Sequence, residues 1–445
     1  MKLRFAPSPT GWLHVGNARI AIVNALLAIQ RQGQLILRLD DTDVERSRPE
    51  YAAGIEEDLR WLGISWQGFQ RQQDRTERYA LAAEKLKKAG LLYPCFESEE
   101  ELKFKRELRL RQNKPPLYDH AALKMTPEQY ERALANGKTP HWRFKLGNKP
   151  RRWDDGVLGE RQVKLTAISD PVLVRADGSY LYTFCSVVDD LEMGITHIVR
   201  GEDHVTNTGV QLDIYEALGG RPDRLAFAHL PLLTDADGGP LSKRIGSLSL
   251  RQMRKDGVEP QALVGYLAAL GTAQDPVPGL PADLAARFDI HAVSKSSARF
   301  DPRQMLGLNK KLLHALSFED AKPRLPEGAT PEFWNAIRGN LDMLAEARLW
   351  WEVATGRIAP PVLDGEGEFL KAALATLPAG PFDATSWSVW TEALRAATGR
   401  KGKSLFLPLR LALTGEEHGP DLKDMLPLIG RDRAEERLRH AGATS

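Results

Sequence analysis

The sequence predicts an α/β protein with an all-α carboxyl-terminal half: an open parallel sheet that is interrupted by an inserted α+β segment, resumes, and gives way to helices. Three observations carry this. From residue 1 to about 95, apolar runs such as "QLILRLD" alternate with helical patterns such as Ile20, Val23 and Leu27, the rhythm of a parallel sheet with crossover helices. From about 96 to 179 the texture changes to the basic "KFKRELRLRQNKPP" and then to the strand-like "HWRFKL" and "RQVKLTAISDPVLVRADGSYLYTF", which read as an insertion with its own small fold. After about residue 245 strand signals fade and helical periods take over: Leu263, Leu267 and Leu270, then Phe333, Ile337, Leu341 and Leu344, then Trp387, Trp390 and Leu394.

The elements can be justified in order. "KLRFA" is a short apolar strand, and the loop "PSPTGWLHVGN" leads from it into the helical "ARIAIVNALLAIQRQ". A strand that turns into a helix aims backbone N–H groups and a positive dipole end at the carboxyl edge of the sheet, where phosphates bind. Gly11 and Gly16 let the backbone approach a ligand, and the prolines at 7 and 9 hold the loop in one shape that presents His14 and Asn17. Past the insertion, "ITHIVRG" and "LAFAHLPLL" flank the helical "GVQLDIYEALG" and resume the sheet. The first of these strands ends in Arg200, Glu202, Asp203 and His204, groups able to hold a ribose, a metal or a charged substrate. "GGPLSKRIGSLSL" then places Lys243 and Arg244 among serines and glycines, a loop suited to bring a cation over a polyphosphate. The proline-bearing "AKPRLPEGATPEF" reads as a linker inside the helical half.

Composition bounds the function without naming it. A chain of 445 residues exceeds what one core supports, so several domains are expected. There is no apolar h-region behind the first basic residues and no run approaching the roughly 18 apolar residues of a membrane span, which points to a cytoplasmic protein. Two distant cysteines, Cys95 and Cys185, argue against a disulfide framework and are too few for a cysteine-based zinc site. The net charge of +2 neither demands nor excludes nucleic acid.

Taken together, the motifs resemble those of class I aminoacyl-tRNA synthetases, and specifically the bacterial glutamyl-tRNA synthetase family. "HVGN" and "PLSKR" are similar to its HIGH and KMSKS signatures, and "RFAPSPTG", "LRLDDTD", "VVDD", "VRGEDH" and "FDPRQMLGLNKKLL" follow in the family's order. "ATGRKGKSLFLPLRLALTG" resembles its anticodon-binding region, so the likeness covers nearly the whole chain. The resemblance implies a Rossmann-type catalytic domain split over 1–95 and 180–240, an acceptor-end-binding insertion over 96–179, a stem-contact helical domain over 241–318 and an anticodon-binding helical domain over 319–445.

It also implies a reaction and its residues: glutamate and ATP with Mg²⁺ give glutamyl-adenylate, and the acyl group passes to the 3′ end of tRNA(Glu). His14 and Lys243 would be the catalytic groups. Gly16, Asn17, Glu202, Ser242 and Arg244 would join them around ATP. Arg4, Ala6, Ser8, Asp40, Tyr182, Ser186 and Arg200 would face glutamate, the two arginines suited to grip its side-chain carboxylate. Asp40 stands where the family usually has glutamate, in the role of binding the substrate ammonium, which shortens that reach by a methylene. Arg106 and Arg109 would contact the acceptor end, and Arg400, Lys401, Lys403 and Arg410 would lie in the anticodon domain. Asn17 replaces the second histidine of HIGH, and Pro240 the first lysine of KMSKS. Where some family members build a zinc site, this chain offers Cys95, with Glu97 and His120 nearby, too few for a structural zinc, so none is expected.

A synthetase directed to tRNA(Gln), or one charging both tRNAs, is the nearest alternative. More distant ones are a tRNA-base-modifying paralogue, a small-molecule nucleotidyltransferase and a decayed RNA-binding relative. The length of the helical half argues against the second and third, and intact His14, Lys243, Arg4 and Arg200 against the last. No heptad seam demands a dimer, so a monomer is expected.

Overall fold

The structure is a computed structural model, which describes residues 1–235, 237–239, 241, 249–356 and 358–443. Pro240, Ser242, Lys243 and Arg244 therefore lie outside the described residues. Two compact units divide the chain, Met1–Met253 with Leu263–Asp301, and Arg254–Ala262 with Pro302–Ser445. The stretch 241–318 contributes to both.

In the first unit, strands β1 (Lys2–Phe5), β2 (Gln34–Leu39) and β3 (Gly68–Arg71) run parallel, with Leu3 opposite Leu35 and Leu37 opposite Phe69. Helices α1 (Val15–Gln30), α2 (Pro49–Trp61) and α3 (Thr76–Lys88) lie between and after them in the chain. Leu3, Phe5, Leu35, Leu37 and Leu39 are all buried, as a sheet covered on both faces requires. Helix α1 is buried nearly all round, through Val15, Ala18, Ile22, Val23 and Leu26, which explains why its sequence lacks a polar stripe.

The segment expected to fold by itself is shared between two sheets. Strands β4 (Leu92–Cys95), β5 (His141–Phe144) and β8 (Val172–Val174) form a small antiparallel sheet, with helices α4 (Glu99–Arg111) and α5 (Pro127–Ala135) between β4 and β5 in the chain. The hairpin of β6 (Arg151–Asp155) and β7 (Gly159–Val163) instead extends the main sheet. Trp153 drives this by packing with Ile198, Leu212 and Phe227, and the Gly156 amide donates to the Phe227 carbonyl at 2.8 Å. The long strand-like run 161–184 is also broken up: after β8 the chain turns and enters α6 (Tyr182–Glu192), whose Phe184, Cys185, Val187 and Val188 pack at helical spacing.

The sheet resumes as expected. Strand β9 (His197–Gly201) pairs parallel with β1, Leu3 opposite His197, and α7 (Val205–Ala217) leads to β10 (Ala226–Leu230), parallel to β9. Among the described residues the order is β3-β2-β1-β9-β10-β6-β7. The carboxyl ends of β1, β9 and β10 therefore lie side by side, in the centre of the sheet.

The second unit is helical, with helices over Pro302–Ala315, Pro331–Ile337, Ala347–Thr355, Gly367–Ala375, Ser386–Thr398, Lys403–Thr414, Leu422–Ile429 and Arg431–Ala441. Trp334 and Trp390 are fully buried, and their indole N–H groups donate to the carbonyls of Leu316 at 3.0 Å and Ala373 at 2.9 Å. The expected linker is anchored at both ends, since Ala321 and Phe333 sit in the same core. Among the described residues no helix is long and apolar enough to cross a membrane.

Candidate active site

A cleft of about 820 Å³ opens at the carboxyl ends of β1, β9 and β10 and at the start of α1. Of the residues singled out in the sequence it gathers Arg4, Ala6, Ser8, His14, Gly16, Asn17, Tyr182 and Arg200. The loop between β1 and α1 is tied down by its own backbone: the amides of Asp40 and Arg48 donate to the carbonyls of Pro7 and Pro9, each at 3.0 Å.

His14 is the cap of α1. Its backbone is extended and its Nδ1 accepts from the Gly16 amide at 3.1 Å. Nδ1 is thus the acceptor nitrogen, which puts the ring proton on Nε2. Burial lowers the pKa of this imidazole below its usual 6.5 and favours the neutral donor. A Cβ at Gly16 would stand 2.9 Å from the ring Cε1, so glycine there is a condition of this cap. A Cβ at Gly11 would meet nothing within 4 Å, leaving that side of the loop open to the cleft. Ser249, which follows the undescribed 242–248, forms an antiparallel bridge with His14.

Two guanidinium groups line the same cleft. Arg4 is 3% exposed, and its Nε donates to both oxygens of Asp190, at 3.2 and 3.4 Å. Asp190 also accepts from Arg38 Nη1 at 2.7 Å, so one buried carboxylate holds two arginines. Arg200 is 5% exposed. Its Nη2 donates to Thr208 Oγ1 at 2.7 Å and its Nε faces His229 Nε2 at 3.4 Å. Its Nη1 is buried with no hydrogen-bond partner among the described residues; burial lowers the pKa of the guanidinium, an effect that Tyr182 nearby opposes. A cation with an unused donor on a cleft wall is suited to an anionic ligand.

Three expected contacts are placed elsewhere. Asp40 is 4% exposed and outside the cleft wall, because its carboxylate takes Arg38 Nε at 2.7 Å and Nη2 at 3.3 Å. The two residues are two apart on one extended segment, so their side chains share a face. Ser186 is fully buried on α6, away from the cleft wall, and its Oγ has no partner among the described residues. Glu202 accepts from the Leu232 amide at 2.9 Å and shapes the wall from behind, while Asp203 and His204 line it.

Sequence reasoning missed the residues that hold the site together. Arg19 lines the cleft and donates to the carbonyls of Pro231 and Leu270, each at 2.9 Å. Asp189, in the "VVDD" match, takes Arg75 at 2.6 Å and Gln72 at 2.8 Å. Charged residues inside apolar runs are the one signal that pointed to them.

The residues at the position where some family members build a zinc site are turned to other partners. Cys95 faces the Tyr118 hydroxyl at 3.7 Å, Glu97 accepts from Tyr118 and Lys105, and His120 meets Asp170 at 3.0 Å. Among the described residues no group of three or more His, Cys, Asp or Glu side chains is arranged to hold a metal. This donor set does not fit a structural zinc.

The expected RNA contacts divide by exposure. Arg106 is exposed on α4, which buries none of its residues, whereas Arg109 donates from Nε to the Pro115 carbonyl at 2.8 Å. Lys401 and Lys403 are exposed. Arg400 pairs with Glu366 at 2.5 Å and lies over the Phe369 ring, and Arg410 donates to the Pro420 carbonyl at 3.0 Å.

Residues 1–305 match the family described as "tRNA synthetases class I (E and Q), catalytic domain", and residues 363–442 match one described as "Anticodon binding domain". A protein from Granulibacter bethesdensis named "Glutamate--tRNA ligase 2" is 61% identical over 98% of this chain and 97% of its own length. One of the same name from Gluconacetobacter diazotrophicus is 60% identical over 99% of this chain and 100% of its own. Among solved structures, glutamate-tRNA synthetase from Elizabethkingia anophelis superposes with a TM-score of 0.83 at 26% identity, covering 100% of both chains.

Proposed function

Because the chain belongs to the class I tRNA synthetase family of the E and Q type, we propose that it is a glutamate–tRNA ligase. It activates L-glutamate with ATP and transfers the glutamyl group to the 3′ end of tRNA(Glu). The observation that carries this reading at the site is that two buried guanidinium groups, Arg4 and Arg200, share one cleft with the capped start of α1. A dicarboxylic amino acid and a nucleotide phosphate are both provided for.

In the first step an oxygen of the glutamate α-carboxylate attacks the α-phosphorus of ATP and the bond to pyrophosphate breaks. What the protein supplies is alignment and charge neutralisation. His14 donates from Nε2, with the Asn17 amide beside it at the positive end of α1, the Gly16 amide being engaged by His14 Nδ1. Lys243, with Ser242 and Arg244 next to it in sequence, is assigned the charge of the departing pyrophosphate. Mg²⁺ enters with ATP as part of the substrate. Arg200 takes the side-chain carboxylate of glutamate through its unused Nη1, and Arg4 adds a second positive charge, with Ala6, Ser8 and Tyr182 completing the wall. In the second step the adenylate phosphate is itself the leaving group as the terminal ribose hydroxyl attacks the carbonyl carbon, so no side-chain nucleophile is required.

We assign RNA binding to the exposed cations: Arg106 for the acceptor end, Lys401 and Lys403 in the region matching the anticodon-binding family. The cytoplasm is the proposed compartment, supported by two buried free cysteines, and a monomer the proposed state. The test is ATP–pyrophosphate exchange with glutamate, with and without tRNA, followed by charging of tRNA(Glu) and tRNA(Gln). Exchange that requires tRNA, with charging of tRNA(Glu), is expected. Charging of tRNA(Gln) moves the RNA assignment, and no exchange with any tRNA removes the catalytic one.

A further inference from the structure

Arg200 is held by a relay that leaves the cleft and ends on the inserted segment. Arg200 and His229 are register partners on the neighbouring parallel strands β9 and β10. Thr208 Oγ1, from α7, accepts from Arg200 Nη2 at 2.7 Å and lies 2.9 Å from His229 Nε2. A guanidinium offers donors and no acceptor, so Nε2, which faces Arg200 Nε, carries the lone pair. The imidazole proton is then on Nδ1, which donates to Asp155 Oδ2 at 2.5 Å.

Asp155 is itself fixed. Its Oδ1 accepts from the amides of His229 at 3.0 Å, Val157 at 3.1 Å and Leu158 at 3.0 Å, and its Oδ2 also takes the Trp153 indole at 3.3 Å. These donors hold its carboxyl well below the usual carboxylate range. The side chains of Asp155 and His229 are both fully buried. Asp155 stands at the end of β6, the strand by which the inserted segment joins the main sheet. The relay occupies two nitrogens of Arg200, a residue that lines the cleft, and leaves its buried Nη1 unpartnered among the described residues.

We infer that Asp155, His229 and Thr208 are positioning residues for amino-acid selection: they set the tautomer and the rotamer that orient the Arg200 guanidinium toward the carboxylate of the substrate side chain. This rests on the functional reading above. A guanidinium already oriented loses less rotational freedom when the carboxylate arrives, and that difference appears as affinity for the amino acid. Through β6 the inserted segment thereby contributes to the amino-acid site.

The experiment is tRNA-dependent ATP–pyrophosphate exchange, with KM for glutamate and KM for ATP measured separately on the full chain. The variants are Thr208→Val, Thr208→Ser, His229→Leu and His229→Gln. Thr208→Val and His229→Leu are expected to raise the glutamate KM by about tenfold or more, with the ATP KM unchanged to about twofold. Thr208→Ser keeps the hydroxyl and restores the wild-type value, and His229→Gln, whose amide oxygen can accept where Nε2 did, restores it in part. Thr208→Val nearly conserves volume, so the threonine pair decides the matter even if His229→Leu does not fold. A glutamate KM that is the same in Thr208→Val, Thr208→Ser and the wild type overturns the inference, as does a rise in both KM values together, which is the mark of a merely structural role. Wild-type protein without glutamate-dependent exchange overturns the functional reading and this inference with it, whereas wild-type exchange with unaltered variants overturns the inference alone.

Discussion

His14 shows how much one side chain carries. It caps α1, meets Ser249 across an antiparallel bridge and lines the cleft. Its role depends on being neutral, since a proton on Nδ1 would face the Gly16 amide donor to donor. Burial places its pKa below 6.5, which fixes the sign of the pH effect. The folded state disfavours the charged ring, so the contribution of His14 to stability is complete above 6.5 and is lost as pH falls from there through the lower folded value. Exchange activity, which follows the folded state, is accordingly expected to be flat from pH 8 to below 6.5 and to fall only as pH reaches the lowered folded value. His14→Asn, whose side-chain oxygen can still accept from Gly16, is expected to flatten that acid limb and to lower kcat by about a hundredfold, the scale of one lost donor to developing charge. A pH profile of both proteins checks this; an unshifted acid limb in His14→Asn assigns it to another group, His204 being the other cleft imidazole whose pKa burial lowers.

Elements differ in what their charges are free to do. Helix α4 starts with a capping box at Ser98 and Glu101, fully buries none of its residues although Leu102 packs in part against Tyr93 and Tyr118, and exposes Phe104 and Leu110 along with Arg106. Lys105 and Arg109 of this helix are taken by Glu97, Asp119 and the Pro115 carbonyl, which leaves Arg106 to offer to phosphate. Arg106→Ala is expected to reduce the salt dependence of tRNA affinity by about 0.7 to 0.9 in log–log slope, with little change in melting temperature. Arg400→Ala is expected to do the reverse, because it removes the partner of the Glu366 carboxylate and the cation over Phe369. Filter binding at several salt concentrations, beside thermal unfolding, separates the two. Runs of basic residues looked equivalent in the sequence; the partners that set Arg400 and Arg410 apart from Lys401 and Lys403 come from residues 34 and 10 positions away.

The whole molecule is built from two units with different sources of stability. The first owes its form to a parallel sheet whose central strands come from both sides of an insertion. The second relies on a helical core around Trp334 and Trp390, with Phe333, Met425 and Leu438 in the same cluster. Trp334→Ala is expected to destabilise the second unit by about 3 to 5 kcal/mol, chiefly from the cavity, since the Leu316 carbonyl that loses the indole donor keeps Arg338 Nη1 at 3.3 Å. Calorimetry that shows a lowered transition with the remainder of the unfolding profile in place would support two separately stabilised units. A uniform shift of the whole profile would count against them.

The local signals were strong where a residue's job is tied to its own segment. Strand β1, the loop into α1, the strand "ITHIVRG" and the helical half were legible because apolar spacing and turn chemistry act within a few residues, and His14 and Arg200 came with them, whereas Arg4 rested on the resemblance to the family. Pairing and burial are different, because they depend on residues far away in the chain. Whether 151–163 closes its own fold or extends the main sheet is decided by Trp153 meeting Phe227, and whether Asp40 faces the cleft is decided by Arg38 taking its carboxylate. Asp155 has no local mark at all: it is one aspartate among "WDDG" until β6 lies beside β10 and puts it against His229. A buried carboxylate needs donors, and only the folded sheet says which ones reach it.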